Sequence, residues 1–391
     1  MRLLSFALFF SVAATVTGLM HRYVWVRLVR DANLPPPWPR VLAIALTVMA
    51  VAMPLSMLLM RVLPPQVHRV LAWPVFTWMG AMFMMTMLLL GSDVLRVLLE
   101  RLMRAADVGP NLDAERRVFL QRAFASAATV GVTGAAAISM RHALGGAHVK
   151  DVEVTLQRLP PSLDGLKLVQ MTDVHVGPTI GREYIERLVQ QANELNPDVV
   201  AITGDLVDGS VEQLRHAVEP LKDLVARRGV YFVTGNHEYY SGADEWLHEL
   251  ERLRIHVLRN ERVSIGDDVS SFDLAGINDY SAGQFGTAPD LARALSGRDD
   301  KRELVLLAHQ PRAMTDALRH NVGLMLSGHT HGGQIWPWNH MVRLQTPYVH
   351  GLYREGQTQV YVSPGTGYWG PPMRLGTTSE ISKVILRAAR A

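Results

Sequence analysis

The chain contains no cysteine. Disulfides, thiolate zinc sites, thiol nucleophiles and iron–sulfur clusters are therefore excluded, and any metal must sit on nitrogen and oxygen ligands. The absence assigns no compartment, because a thiol-free chain suits reducing and oxidising surroundings alike. Charge is scarce too. Asp, Glu, Lys and Arg make up 19% of the residues and apolar types 48%, where a soluble protein carries about a quarter charged. The shortfall is concentrated before residue 145. The net charge is only +3, and no dense Lys/Arg face interleaves with aromatics, so no nucleic-acid partner is expected. Internal repeats are also lacking. With 391 residues, the chain has room for two regions of different character.

What the first region has is apolar length. Runs at residues 3–20, 41–63 and 70–90 each approach the roughly 20 residues that cross a bilayer as a helix. Pro35-Pro36-Pro37 breaks the chain between the first two, and Trp73 and Trp78 stand near the start of the third, as interfacial aromatics do. A buried soluble bundle is the alternative, and the lack of charge-rich amphipathic faces argues against it. A fourth run, 123–140, is built of Ala, Gly, Ser and Thr and follows Arg116-Arg117-Val118-Phe119-Leu120-Gln121-Arg122. That pairing resembles a twin-arginine translocation signal, with Glu115 and Gln121 departing from the usual residues. The plainer reading is a basic flank before an ordinary span. Arg22, Arg27, Arg30 and Arg40 lie in the first loop, and Arg96, Arg101, Arg104, Arg116, Arg117 and Arg122 in the third. The second loop has only Arg61 and Arg69. The positive-inside bias places the first and third loops in the cytoplasm, so after four spans the rest of the chain emerges on the outer face.

From about Val152 the pattern changes to short β-branched runs alternating with amphipathic stretches. Strands are expected at 166–171, 198–202, 230–233, 272–275, 304–307, 324–326 and 359–362, and helices at 184–195, 211–226 and 244–253. Strands this apolar imply sheets covered on both faces, hence an α/β domain over residues 146–391 behind a membrane region at 1–145.

The chemistry follows the strands. They run into Thr172-Asp173-Val174-His175, Thr203-Gly204-Asp205, Thr234-Gly235-Asn236-His237-Glu238, Ala308-His309 and Ser327-Gly328-His329-Thr330-His331. Ligand sites of α/β sheets lie at the carboxyl ends of strands, so five ends delivering Asp, Asn or His form one converging polar cluster. A lone histidine is more often a satisfied core or surface residue, and His216, His248 and His320 are read that way. An isolated Gly-Asp is commonplace in turns. Five such blocks in order, each behind an apolar strand, are not.

These blocks, spanning residues 173–331, resemble the calcineurin-like metallophosphoesterase superfamily, with its membrane-anchored bacterial members the most similar. Gly332-Gly333-Gln334-Ile335 and Arg374-Leu375-Gly376 agree less specifically. The resemblance implies a four-layer α/β/β/α sandwich, here preceded by about four transmembrane helices. It implies that Asp173, His175 and His331 hold one metal, that Asn236, His309 and His329 hold a second, and that Asp205 bridges both. His237 would not ligate but would protonate the leaving group. Physical chemistry supports these roles: two divalent ions need a shared anionic oxygen, and their charge acidifies a shared water for in-line attack on phosphorus. Imidazole is a suitable proton donor near neutral pH. Mn, Fe, Zn or Co suit this ligand set. Protein phosphatases of the family usually carry Gly-Asp-x-x-Asp-Arg-Gly, whereas Gly209-Ser210 follows Asp208 here. That departure argues for a phosphodiester or lipid-linked phosphate. Glu238 stands where many relatives have Asp and is read as a tolerated variant, and Asp279 is read as structural.

The expected protein is thus a metal-dependent phosphoesterase in the bacterial inner membrane, with a phosphoester substrate and the lipid bilayer as partners and no protein partner. A metal-binding membrane sensor without turnover is the competing class, and the intact set of eight site positions argues against it. A transporter finds little support in spans that lack Asp, Glu and Lys. A reporter fused to the C-terminus should be active only outside the cytoplasm. Silence from an intact fusion would overturn this orientation.

Overall fold

The computed structural model describes residues 2–59, 63–105 and 113–390. They divide into two compact units, one running to Met140 and including Gly370–Met373, the other made of Arg141–Trp369 and the chain from Arg374 onward.

The first unit is helical. Its elements are α1 (Arg2–Trp25, continued by a π-helical turn Val26–Arg30), α2 (Trp38–Leu59), α3 (Pro65–Ala105) and α4 (Ala114–Leu144). Among the described residues three helices are long and apolar enough to cross a membrane, over Trp38–Ser56, Gln66–Met103 and Glu115–Leu144. The first expected span falls within α1, which is not one of the three. Its residues 3–6 and 9 have side chains outside the described set, as does the stretch 60–62 containing Arg61. The third apolar run was expected to end near residue 90, yet α3 continues through Arg96 and Arg101 to Ala105. Nothing interrupts it: neither Gly nor Pro occurs between Gly91 and the end of the helix at Ala105, and Arg96 lies 4.0 Å from Asp93 and 3.8 Å from Glu100, one turn either side. Asp93 ties α3 to the end of α1 through the Tyr23 hydroxyl at 2.6 Å and Arg27 at 2.6 Å. Arg122 donates to the carbonyls of Ala32 and Asn33 at 2.9 and 2.6 Å.

The second unit holds two six-stranded sheets. Its strands are β1 (His148–Leu156), β2 (Leu166–Met171), β3 (Val199–Thr203), β4 (Val230–Val233), β5 (His256–Val257), β6 (Glu261–Gly266), β7 (Ser271–Gly276), β8 (Leu304–Leu307), β9 (Leu324–Ser327), β10 (Gly351–Glu355), β11 (Thr358–Val362) and β12 (Glu380–Ala388). The strand orders are β1-β12-β2-β3-β4-β5 and β10-β11-β9-β8-β7-β6. Strands β2 to β5 run parallel, as do β7, β8, β9 and β11. The helices are α5 (Arg182–Glu194), α6 (Val211–Val218), α7 (Asn236–Ser241), α8 (Ala243–Arg252), α9 (Leu291–Ala294), α10 (Met314–Arg319) and α11 (Trp338–Gln345).

Side-chain alternation explains the layers. In β3, Val199 and Ala201 pack between the two sheets while Val200 and Ile202 face α5, α6 and α8. In β8, Val305 and Leu307 join the inter-sheet core while Leu304 and Leu306 face α9 and α10. Strands such as β3, β4 and β8 are apolar on both faces because both faces are covered. The result is helices, sheet, sheet, helices.

Five strands escape the expected pattern: β1, β5, β6, β10 and β12. Of these, β1, β6 and β10 are sheet edges whose exposed faces carry charge (Lys150, Asp151 and Glu153 in β1, for example), which breaks the apolar run that marks inner strands. The helix expected over 211–226 stops at Val218 and tightens into a 3-10 turn at Glu219–Asp223, where Pro220 removes an amide donor.

Trp246 on α8 is fully buried in the outer core of the first sheet, and its indole donates to the Gly209 carbonyl at 2.8 Å. Trp246→Ala should destabilise this unit by about 3–5 kcal/mol, read as a shift in the denaturant midpoint of the purified chain.

Candidate metal centre

The carboxyl ends of β2, β3, β4, β8 and β9 deliver the eight singled-out residues to one place. Beyond their last ladder bonds, the loops after β2 and β3 continue side by side. Asp173 N donates to Gly204 O at 3.0 Å, His175 N to Asp205 O at 3.1 Å, and Asp208 N to Val176 O at 2.8 Å. Along these loops the chain turns left-handed at the very residues that carry chemistry. Asp173, His175, Asp205, His329 and His331 have φ of 52°, 55°, 52°, 71° and 51°. Such conformations cost about 1–3 kcal/mol each for non-glycine residues, and persist because the surrounding bonds over-determine them. Gly328 shows how closely backbone approaches here: a Cβ on it would lie 2.1 Å from Asp173 Oδ2.

Two donor sets result. Asp173, His175 and His331 bring ligand atoms within 4.8 Å of one another, and so do Asp205, His309 and His329. His175 Nε2 lies 3.1 Å from His331 Nε2, and His331 Nε2 lies 3.4 Å from Asp173 Oδ1. His309 Nε2 lies 3.1 Å from Asp205 Oδ2 and 3.2 Å from His329 Nδ1. Asp205 Oδ2 is also 3.9 Å from His175 Nε2, which places this carboxylate between the sets.

Hydrogen bonds decide which ring nitrogens face inward as lone pairs. His309 Nδ1 meets the Thr203 carbonyl at 2.8 Å. A carbonyl only accepts, so Nδ1 carries the proton and Nε2 is left unprotonated towards Asp205 when the ring is neutral. His175 Nδ1 is likewise held by Asp208 Oδ1 at 3.0 Å. Asn236 completes the cluster with an orphan. Its Oδ1 is buried with no hydrogen-bond partner, an expensive state for an amide oxygen and the state expected of a ligand atom. Crowded imidazole, carboxylate and amide donors with inward lone pairs fit a divalent metal on nitrogen and oxygen.

Asp208, Glu238 and Arg374 are the residues whose part was not foreseen. Asp208 Oδ1 accepts from His175 Nδ1 and also from His237 Nδ1 at 2.6 Å. With two imidazoles already on that oxygen, it orients both rings. Glu238 is fully buried and accepts from the amides of Asp205, Leu206 and Gly235 at 3.0, 2.7 and 2.6 Å. It therefore fixes the turn that presents Asp205. Burial and the Asp205 charge push its carboxyl up to about 7. Arg374 is fully buried, and its guanidinium donates to the carbonyls of Gly367, Pro364 and Gly365 at 2.6, 2.8 and 3.3 Å, and to His331 O at 3.3 Å. It clamps the last site loop from behind. The Gly-Asp-x-x-Asp spacing is the linear signal that marks Asp208. Asp279 caps the 3-10 turn Tyr280–Phe285 through Ser281 N and accepts from Gln310, in keeping with a structural reading.

Buried charge sets the electrostatics. Burial alone would raise the Asp205 carboxyl, but His309, His237 and His175 outweigh it and hold it well below the usual carboxylate range. Burial likewise works against the His309 cation, yet Asp205 and Asp173 raise its pKa well above the ordinary value. At His237, burial lowers the pKa and is overcome by Asp208, then Asp205 and Glu238, which bring it up to about 9. The His237 ring is walled by Tyr240 and Trp369, with centroids 5.4 and 5.7 Å away.

A two-sheet α/β unit gathering Asp, Asn and His donors at its strand ends defines a metal-site protein of the phosphoesterase type. The calcineurin-like phosphoesterase family model matches residues 166–333. A Bos taurus protein named "Transmembrane protein with metallophosphoesterase domain" is 43% identical over 299 residues, covering 73% of this chain and 67% of that protein. The Danio rerio protein of the same name is 45% identical over 251 residues, 62% of this chain and 57% of its own length. An uncharacterized metallophosphoesterase of Bacillus subtilis is 30% identical over 284 residues, 70% of this chain and 98% of that one. The chain belongs to the calcineurin-like metallophosphoesterase family. It spans less than two thirds of the length of the Danio rerio relative.

If Asp208 sets the His237 pKa, Asp208→Asn should remove the strongest opposition to burial and lower it from about 9. An NMR titration of the metal-free protein reads this directly. Stability contributed by the raised pKa is complete below about 6.5 and lost as pH rises through about 9, so the wild type should lose more stability across that window than the variant.

Proposed function

We propose that this chain is a membrane-anchored, metal-dependent phosphoesterase that hydrolyses phosphodiester or phosphomonoester bonds, lipid-linked ones among them. The carrying observation is the pair of donor sets that meet at Asp205, with the His237 ring held beside them. Asp173, His175, Asp205, Asn236, His309, His329 and His331 would hold two divalent ions, of Mn, Fe, Zn or Co type, with Asp205 shared. Such ions supply Lewis acidity to a phosphoryl group and lower the pKa of bound water.

The protein's own part is positioning and proton transfer. His237 Nε2 lies 4.0 Å from Asp205 Oδ2 while Nδ1 is engaged by Asp208. In the metal-free chain burial of the ring is outweighed by Asp208, Asp205 and Glu238, which raise its pKa to about 9 and favour a proton on Nε2. An alkoxide leaving a phosphorus atom at this site would take that proton, which makes His237 the general acid. Asp208 keeps the ring in the orientation that donation needs. Gly209, where protein phosphatases of the family have arginine, leaves the phosphate without that cationic grip and supports a diester or lipid-borne substrate. The arginine distribution supports four spans with this unit on the extracytoplasmic face of a bacterial inner membrane, residues 1–145 forming the membrane region and 146–391 the phosphoesterase domain. The stretch at Arg116-Arg117 supports export by a twin-arginine route.

The full-length chain, purified in detergent and supplied with manganese, should hydrolyse aryl phosphodiesters. His237→Ala should lower turnover by about 10²–10⁴-fold with metal binding by calorimetry retained. No turnover with any divalent metal would remove the enzyme reading.

A further inference from the structure

Between the last site residues and β10 the chain builds a helix that contributes nothing to the core. None of the residues of α11 is buried, although it carries Trp338, Met341 and Leu344, exposed to 50%, 49% and 78%. Trp336, just before it, and Trp369 are exposed to 57% and 52%. These side chains belong to one rim. Gln334 joins the two segments, its amide donating to Trp369 O at 2.9 Å and its carbonyl accepting from Trp369 N at 3.0 Å. Trp336 N donates to Leu375 O at 2.8 Å, which extends the same pairing. At the inner end of the rim, the Trp369 ring stands beside His237. An apolar patch left exposed beside a reactive site marks a surface made for a partner.

Two observations choose the partner. The composition is that of a membrane interface: three exposed tryptophans, with Met and Leu on a short helix whose polar positions are Asn339, His340, Arg343 and Gln345. From Gln334 to Arg354 there is no Asp or Glu, while Arg343 and Arg354 are present, a charge bias that complements anionic lipid. Connectivity also points to a nearby bilayer. The membrane-length helix α4 ends at Leu144, and β1 begins at His148. Ala143, in the last turn of α4, already packs in the core of the two-sheet unit. Three connecting residues reach at most about 10 Å.

We propose that the rim formed by Trp336, Trp338, Met341, Leu344 and Trp369 inserts into the headgroup layer of an anionic bilayer and presents the phosphoester of a membrane lipid to the metal centre. The occupant is the lipid surface itself, and the substrate class is a phosphoester in its headgroup. This rests on the phosphoesterase reading above. Burying the rim would bring lipid phosphates to the level of His237 without extracting a lipid, and a soluble ester would reach the same centre without needing the rim.

The chain's lack of cysteine allows a single nitroxide on Leu344→Cys in the full-length chain, reconstituted in phosphatidylcholine–phosphatidylglycerol vesicles. Its relaxation should respond to oxygen more than to a nickel chelate, whereas a label on Val269→Cys, 94% exposed in the β6–β7 turn, should show the reverse. Equal nickel accessibility at both positions would overturn the docking surface. In the same vesicles, Met341→Glu combined with Leu344→Glu should lower turnover of the headgroup ester by about tenfold or more, the equivalent of about 1.4 kcal/mol, and leave turnover of a soluble aryl phosphodiester unchanged. Parallel loss on both esters, or on neither, counts against delivery by the rim. If the wild type hydrolyses neither ester, the phosphoesterase reading fails, and the spin-label comparison still decides the docking surface.

Discussion

Four carboxylates, those of Asp173, Asp205, Asp208 and Glu238, are packed at one end of two sheets with little or no access to water. Gathering like charges in a low-dielectric interior is prohibitive unless each is met by donors, and the architecture is organised around meeting them. Asp173 accepts from the amide of His329 and the hydroxyl of Thr172. Asp205 accepts from the amide of His237 and faces His309. Glu238 is held by three amides, and Asp208 by two imidazoles. Asp173 and Asp205 each take one partner from the strand ends of the second sheet, His329 and His309, so neither sheet makes the centre alone. The strongly opposed pKa directions of Asp205 and His309 express the same dependence: each ionises because the other does.

The backbone meets the same constraint geometrically. Alternate residues in Asp-x-His and His-x-His turn left-handed, which points successive functional side chains to one side where an extended strand would send residues i and i+2 along a line. The local strain is sustained by backbone bonds between the loops after β2 and β3, and by Arg374 holding carbonyls behind His331. Glycine at 328 is required because the Asp173 carboxylate occupies the space a side chain would take.

How much of this is legible in the linear chain follows from the range of the interactions. Strands β2, β3, β4, β8 and β9 are visible because two-sided burial makes them mostly apolar, and the Asp, Asn and His after them are visible because they interrupt that pattern. Edge strands such as β1 and β10 mix charge with apolar residues and leave no comparable trace. The parts played by Glu238 and Asp208 are created by bonds to residues 29 to 33 positions away. Asp208 is marked only by its Gly-Asp-x-x-Asp spacing, and Glu238 by nothing that separates it from a surface acid. Arg374 is harder still, since a buried guanidinium satisfied by carbonyls looks in sequence like any solvated arginine. In the helical unit the apolar runs are plain, while the extension of α3 past residue 90 rests on charge pairs one turn apart.

The strand order β1-β12-β2 bears on how the molecule is made. Strand β12 lies between the two earliest strands of its sheet, and its ladder to β1 joins positions 232 residues apart. While a ribosome is still short of residue 388, β1 and β2 have an empty lane between them. The loop carrying Asp173 then lacks the neighbour that fixes Thr366 and the turn behind it. Completion of the centre is therefore a late event in biosynthesis, after the membrane helices have left the exit tunnel, and contacts of such long sequence separation form slowly. A chain arrested shortly before β12 would carry nearly every residue of the centre and none of its finished geometry.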